Sequence, residues 1–290
     1  MSVQKREIDE VTGVETTGHE WDGIKELNKP LPRWWLLTFY VTILWSIGYW
    51  VVYPAWPTMN GYTKGLFGYS QRTVLTEELA AARTAQAPFR AKLAAVPLDM
   101  IKDDPELLRF AMAEGGAAFQ ANCAACHGRG AQGFIGYPNL NDDEWLWGGT
   151  IAEIQQTISF GVRSDEKDTR ASQMPRFGLD KLLPDAQINE VAEYVLSFSK
   201  QETDKAAADR GSKTFADQCA SCHGDNGKGK QEQGAPDLTD SIWLYGGSKS
   251  AIVESIKTGR GGMMPAWAGR LDPVTIKSLA VYVHGLGGGK

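Results

Sequence analysis

Cysteine and histidine are scarce in this chain, with four of each among 290 residues. The cysteines stand at 123, 126, 219 and 222, in two identical spacings, which excludes a scattered disulfide framework. Surplus positive charge is also missing. Thirty Lys and Arg against 35 Asp and Glu leave a net charge of −5, which gives no support to nucleic-acid binding, a function that needs a basic face. Extreme polarity is absent as well: 42% of residues are apolar, which excludes wholesale disorder. No βαβ pattern surrounds the paired cysteines, and that argues against a thioredoxin-type site.

Charge of either sign disappears entirely between Arg33 and Lys64. The centre of that interval, Trp34 to Tyr53, is twenty residues long and reads WWLLTFYVTILWSIGYWVVY. As a helix it would extend roughly 30 Å, the thickness of a bilayer's hydrocarbon. Trp34 and Trp35 border one end; Trp50, Tyr53 and Trp56 border the other, as interfacial aromatic belts do. Pro54 and Pro57 stop the helix. A cleaved signal peptide would lie nearer the start and end on small residues, so the segment is expected to be an uncleaved anchor. Lys25, Lys29 and Arg33 just before it give a slight bias toward a cytoplasmic N-terminus.

Beyond the anchor, residues 57–105 form an Ala-rich connector, helical in propensity from Thr76 to Ala95, broken at Pro88 and ended at Pro97. Asp104-Pro105 then resembles a helix start. From there the sequence repeats. Gly115, Phe119 and Cys123 recur as Gly211, Phe215 and Cys219; Trp145-Leu146-Trp147-Gly148-Gly149 recurs as Trp243-Leu244-Tyr245-Gly246-Gly247. Met174-Pro175 answers to Met264-Pro265. Each copy closes on a helical apolar stripe, Ile188, Val191, Ala192, Val195 and Leu196 in one, Ile276, Leu279, Ala280 and Val283 in the other. A repeat this long implies two tandem globular domains, 106–200 and 206–290, joined by the polar stretch Lys200 to Asp209. Domains so small bury little apolar surface and need a staple.

Cys123-Ala124-Ala125-Cys126-His127 and Cys219-Ala220-Ser221-Cys222-His223 are both C-x-x-C-H, the c-type haem attachment signal. Two thiols at this spacing add across the two porphyrin vinyl groups, and the following histidine is directed to the iron. Zinc would need further ligands, and only His19 and His284 remain among the histidines. Methionine sulfur is the usual second axial ligand of an electron-carrying haem. By position in the repeat, Met174 pairs with His127, and Met264 with His223, with neighbouring Met263 as the alternative. Trp145, Trp147, Trp243 and Tyr245 read as core packing more readily than as haem neighbours. Covalent haem attachment takes place outside the bacterial cytoplasmic membrane, so both domains are expected in the periplasm.

The whole chain resembles the di-haem subunit III of cbb3-type cytochrome c oxidases, the CcoP or FixP family. The most discriminating part is the segment His19-Glu20-Trp21-Asp22-Gly23-Ile24-Lys25-Glu26-Leu27-Asn28-Lys29-Pro30-Leu31-Pro32-Arg33-Trp34-Trp35, with Lys29 in place of a frequent second Asn. The resemblance implies a mainly α fold: a cytoplasmic tail over 1–33, a transmembrane helix over 34–56, the connector, and two tandem cytochrome c domains. It implies two covalent haem c groups at Cys123, Cys126, Cys219 and Cys222, each with His/Met ligation. The carbonyls of Pro138 and Pro236 would accept the ring N–H of the two motif histidines. The implied role is electron relay from a donor cytochrome c to a mono-haem c subunit and then to a catalytic haem b–copper subunit. The chain itself would have no active site. A free-standing anchored di-haem cytochrome is the alternative; a peroxidase would need a haem that opens a coordination position. Residues 110–200 carry seven basic and twelve acidic groups, against ten and eight in 206–290; an acidic first domain would steer a basic donor.

Overall fold

A computed structural model describes residues 7–199 and 203–288. The chain divides into two compact units between Thr84 and Ala85. The first holds an antiparallel hairpin of β1 (Thr16–Trp21) and β2 (Ile24–Leu27), with Trp21 opposite Ile24 and Glu20 opposite Lys25. Its turn is Asp22-Gly23, both at positive φ, 50° and 83°, the backbone that matches the right-handed twist of paired strands. The region 1–33 is therefore partly structured, where a polar tail was expected. The Asp-Gly pair was the signal.

Helix α1 spans Arg33–Val52, and none of its residues is buried. It is long and apolar enough to cross a membrane. It ends one turn earlier than the expected 34–56, because Tyr53 precedes a proline and is extended, φ −112° and ψ 160°. A second small hairpin, β3 (Pro57–Thr58) with β4 (Gly61–Tyr62), follows.

Helix α2 runs Gln71–Ala95 straight through Pro88. One proline forfeits a single backbone bond, and the helix continues around it. The second unit begins with the last turns of α2, so this part of the connector is core: Leu93 is fully buried with Ile101, Leu107, Ala111 and Val281. A 3₁₀ segment, Leu98–Asp103, leads to α3 (Pro105–Asn122). Asp104 caps α3, its carboxylate accepting from the N–H groups of Glu106 and Leu107 at 3.1 Å each.

The remaining helices are α4 (Ala124–His127), α5 (Ile151–Phe160), α6 (Asp185–Phe198), α7 (Lys205–Gln218), α8 (Ala220–His223), α9 (Lys249–Thr258) and α10 (Pro273–His284). The two apolar stripes read from the sequence are buried, on α6 and α10. Their partners are not the ones the repeat order suggests. Helix α6 packs on α7 and α9, while α10 packs on α3 and α5. The two helix crossings are alike: Gly115 of α3 meets the carbonyl of Ser278 on α10, and Gly211 of α7 meets the carbonyl of Glu190 on α6. Phe119 and Phe215, equivalent in the repeat, are the largest fully buried side chains of the two cores; each such burial stabilises by about 1.5–3 kcal/mol.

Each compact body therefore takes its closing helix from the other repeat. One is built from α3, α4, α5 and α10, the other from α6 to α9. Both buried clusters thus draw residues from each of the expected domains, 106–200 and 206–290. The link from α6 to α7 is short, and a short link makes consecutive helices antiparallel neighbours. Of the expected linker Lys200 to Asp209, residues 200–202 lie outside the described residues, and Asp204 already caps α7. The charge contrast does not carry over to the two bodies: Arg270 and Lys277 join the first, and Asp180, Asp185, Glu190 and Glu193 join the second.

Two candidate cofactor cavities

At the end of α3, Cys123 closes the helix and α4 adds a single turn. Cys123 and Cys126 stand three residues apart on that turn and so share a face. His127 follows, and Gly128 at φ 82° turns the chain away; a side chain there would be strained. The pattern repeats through Cys219, α8, His223 and Gly224 at φ 74°.

The ring Nδ1 of His127 lies 3.0 Å from the carbonyl oxygen of Pro138, and that of His223 lies 3.2 Å from Pro236. A carbonyl only accepts, so each Nδ1 carries the proton and Nε2 keeps the lone pair. Burial pulls both imidazole pKa values down, opposed by these two bonds, which keeps both rings neutral and able to ligate.

Each motif opens onto an apolar cavity, of about 440 Å³ for the first and about 210 Å³ for the second. Cys123, Cys126 and His127 line the first together with Met264, Met263, Trp145 and Trp147. Cys219, Cys222 and His223 line the second together with Met174, Trp243 and Tyr245. Met264 thus shares a cavity with His127 and Met174 with His223, whereas the repeat order grouped His127 with Met174 and His223 with Met264. Two backbone hydrogen bonds anchor the exchange, Val162 N–H to Met264 O at 3.0 Å and Met264 N–H to Val162 O at 2.9 Å. Gly161 abuts the backbone of Met264, and its repeat mate Gly259 abuts that of Met174. The four aromatic residues expected in ordinary packing all face a cavity.

None of the four cysteines is in a disulfide. Burial, with Cys126 adjacent, pushes the Cys123 thiol up to about 11; burial, with Cys222 adjacent, does the same to Cys219. A raised pKa makes Cys123 and Cys219 poor nucleophiles for thiol–disulfide exchange. Neither do the motif donors converge on a cation: among the described residues, the one cluster of three or more close acidic, His or Cys ligand atoms is Glu144, Asp237 and Asp240. What each cavity offers is a neutral imidazole, a thioether, two thiols and apolar walls. That donor set fits a large apolar ring with a central iron. Half-buried Arg170 lies over Trp147, a wall of the first cavity, at 5.8 Å, and its buried Nε and one terminal nitrogen have no hydrogen-bond partner among the described residues, as expected where an anionic group of the cofactor completes the site.

Two family models match. One is the N-terminal domain of cytochrome oxidase-cbb3, FixP, over residues 13–60. The other is cytochrome c oxidase, cbb3-type, subunit III, over 110–195 and 206–283. Among curated relatives, the cbb3-type cytochrome c oxidase subunit FixP of Bradyrhizobium sp. (strain ORS 278) is 57% identical over 288 residues, covering 98% of both chains. FixP of Azorhizobium caulinodans is 55% identical, covering 98% of this chain and 96% of the relative. The cbb3-type subunit CcoP of Azospirillum brasilense is 53% identical, covering 99% of both.

Proposed function

This chain belongs to the family of cbb3-type cytochrome c oxidase subunit III, named FixP or CcoP, and on that basis we propose that it holds two covalent haem c groups and relays electrons from a donor cytochrome c toward the oxygen-reducing subunit. It is a membrane-anchored electron-transfer subunit of that oxidase, with cytochrome c domains and the haem c they imply.

The observation that carries the reading is the content of each cavity: two thiols, a neutral imidazole and a thioether, collected twice. Cys123 with Cys126, and Cys219 with Cys222, would hold the two rings. His127 with Met264, and His223 with Met174, would be the axial pairs. An iron ligated in this way supplies one-electron transfer, with its potential raised by the thioether. The carbonyls of Pro138 and Pro236 fix the orientation of the two imidazoles and increase their basicity. The apolar walls, with Phe119, Ile154 and Leu279 in one cavity and Phe215, Val191 and Ile252 in the other, exclude water.

The membrane helix would leave both haem bodies in the periplasm and the hairpin of β1 and β2 in the cytoplasm. The partners would be a mono-haem c subunit and the catalytic haem b–copper subunit. Purification in mild detergent tests this: intact mass should show two added haems, reduced-minus-oxidised spectra should show low-spin haem c, and the oxidase subunits should co-purify. A chain with no added haem, or one that purifies without any oxidase subunit, would overturn it.

A further inference from the structure

Four residues line both cavities: Leu146, Arg163, Leu244 and Tyr245. Leu146 and Leu244 are equivalent in the repeat, so the boundary between the cavities is close to symmetric there. Arg163 breaks the symmetry, because its repeat mate is Gly261.

Arg163 is held firmly. Its backbone sits at φ 51°, uncommon for a side chain of this size. Its Nε donates to Gly262 O at 2.7 Å and a terminal nitrogen to Ser172 O at 3.1 Å. Both acceptors are neutral carbonyls, and among the described residues no carboxylate pairs with this guanidinium. Among the described residues, Arg170 and Arg260, beside Trp147 and Tyr245, form no ion pair either. In a chain whose acids outnumber its bases by five, a partly buried, unneutralised cation at this boundary needs an anionic counterpart. The carboxylates that a haem carries would supply that counterpart.

The geometry points to Arg163 as a counter-charge shared by the two haem sites, setting both reduction potentials together. This rests on the haem reading above. The physical basis is simple: a reduced iron carries one positive charge less than an oxidised one, so a nearby cation favours the reduced form. A single cation bordering both cavities favours it in both.

The test is potentiometric titration of the full-length, detergent-solubilised chain, in four forms: wild type, Arg163→Gln, Arg163→Lys and Gly261→Asp. A Cβ at Gly261 would lie 3.4 Å from Arg163 Nε with no φ constraint, so an aspartate there neutralises the guanidinium without deleting it. In Arg163→Gln the reduction equilibrium of each haem should fall about tenfold, equivalent to ~59 mV for one electron. Gly261→Asp should lower both in the same direction, and Arg163→Lys should retain most of the wild-type value. Lys167→Gln, an exposed charge a few residues away, should leave both unchanged. If only one haem shifts, or neither, or if the lysine variant falls as far as the glutamine variant, the inference is wrong. Should Arg163→Gln fail to assemble, Gly261→Asp decides alone. Wild-type chain with fewer than two covalent haems would instead overturn the functional reading, and this inference with it.

Discussion

Val162 and Met264 exchange both of their backbone hydrogen bonds, at 3.0 and 2.9 Å. Val162 follows α5 of the first repeat, while Met264 precedes α10 of the second, so this bridge ties a thioether from one repeat to the histidine site of the other.

The exchange predicts which methionine serves which haem. With the second attachment site removed by Cys219→Ala and Cys222→Ala, one haem remains, at Cys123 and Cys126. Met264→Ala should then lower its potential and open a coordination position. Met174→Ala should leave it nearly unchanged. Potentiometry and the high-spin ferric spectrum of the single-haem protein read the result, and a Met174 effect there would restore the contiguous pairing.

The helix crossings predict a stability asymmetry among glycines. A Cβ on Gly115 or Gly211 would run into a backbone carbonyl of α10 or α6, respectively. Backbone cannot rotate away, so Gly115→Ala and Gly211→Ala should each cost about 1–3 kcal/mol, despite alanine's better helix propensity. Gly269→Ala, with nothing within 4 Å, is the control. Thermal unfolding followed by circular dichroism measures the difference.

Separating the repeats should disable both. Residues 106–200 expressed alone retain the first thiols and His127 but lose α10 and Met264. Such a fragment should not form a low-spin His/Met haem. Co-expression with 206–290 should restore the spectrum by reassembly, and a low-spin spectrum with a methionine ligand from the first fragment alone would contradict the exchange.

Acid should weaken the loop beneath the second histidine. Burial pushes the Asp237 carboxyl up, but the hydroxyl and N–H of Thr239 and the ammonium of Lys228 pull it further down, below 3.8. Their contacts are 2.7 Å from Thr239 N–H and 3.1 Å from Lys228. A depressed folded-state pKa contributes stability that is complete above the unfolded value and disappears as pH falls through the folded one. Asp237→Asn should therefore flatten the decline in stability below about pH 4, while changing its slope little near neutrality.

Much of the site could be read along the chain. Cys123, Cys126, His127 and their counterparts form a local turn, so spacing alone announces them. Their proline acceptors, eleven and thirteen residues on, stay within the same loop. The anchor and the two buried stripes were equally visible, because uninterrupted apolarity and 3.6-residue periodicity are properties of consecutive residues. The Asp22-Gly23 pair carries a hairpin signal as well, but the expectation of a polar tail passed over it.

Partnership between distant elements was not visible in this way. Two near-identical repeats present near-identical faces: Gly115 and Gly211 offer the same groove, and α6 and α10 the same ridge. Internal homology therefore makes the contiguous and the exchanged assemblies almost equivalent in local terms. The difference lies in the chain that joins them, where the short passage from α6 to α7 makes those two helices neighbours and leaves α10 to close on α3. The residues that furnish each cavity follow from the order of amino acids; which methionine meets which histidine follows from loop closure and helix packing.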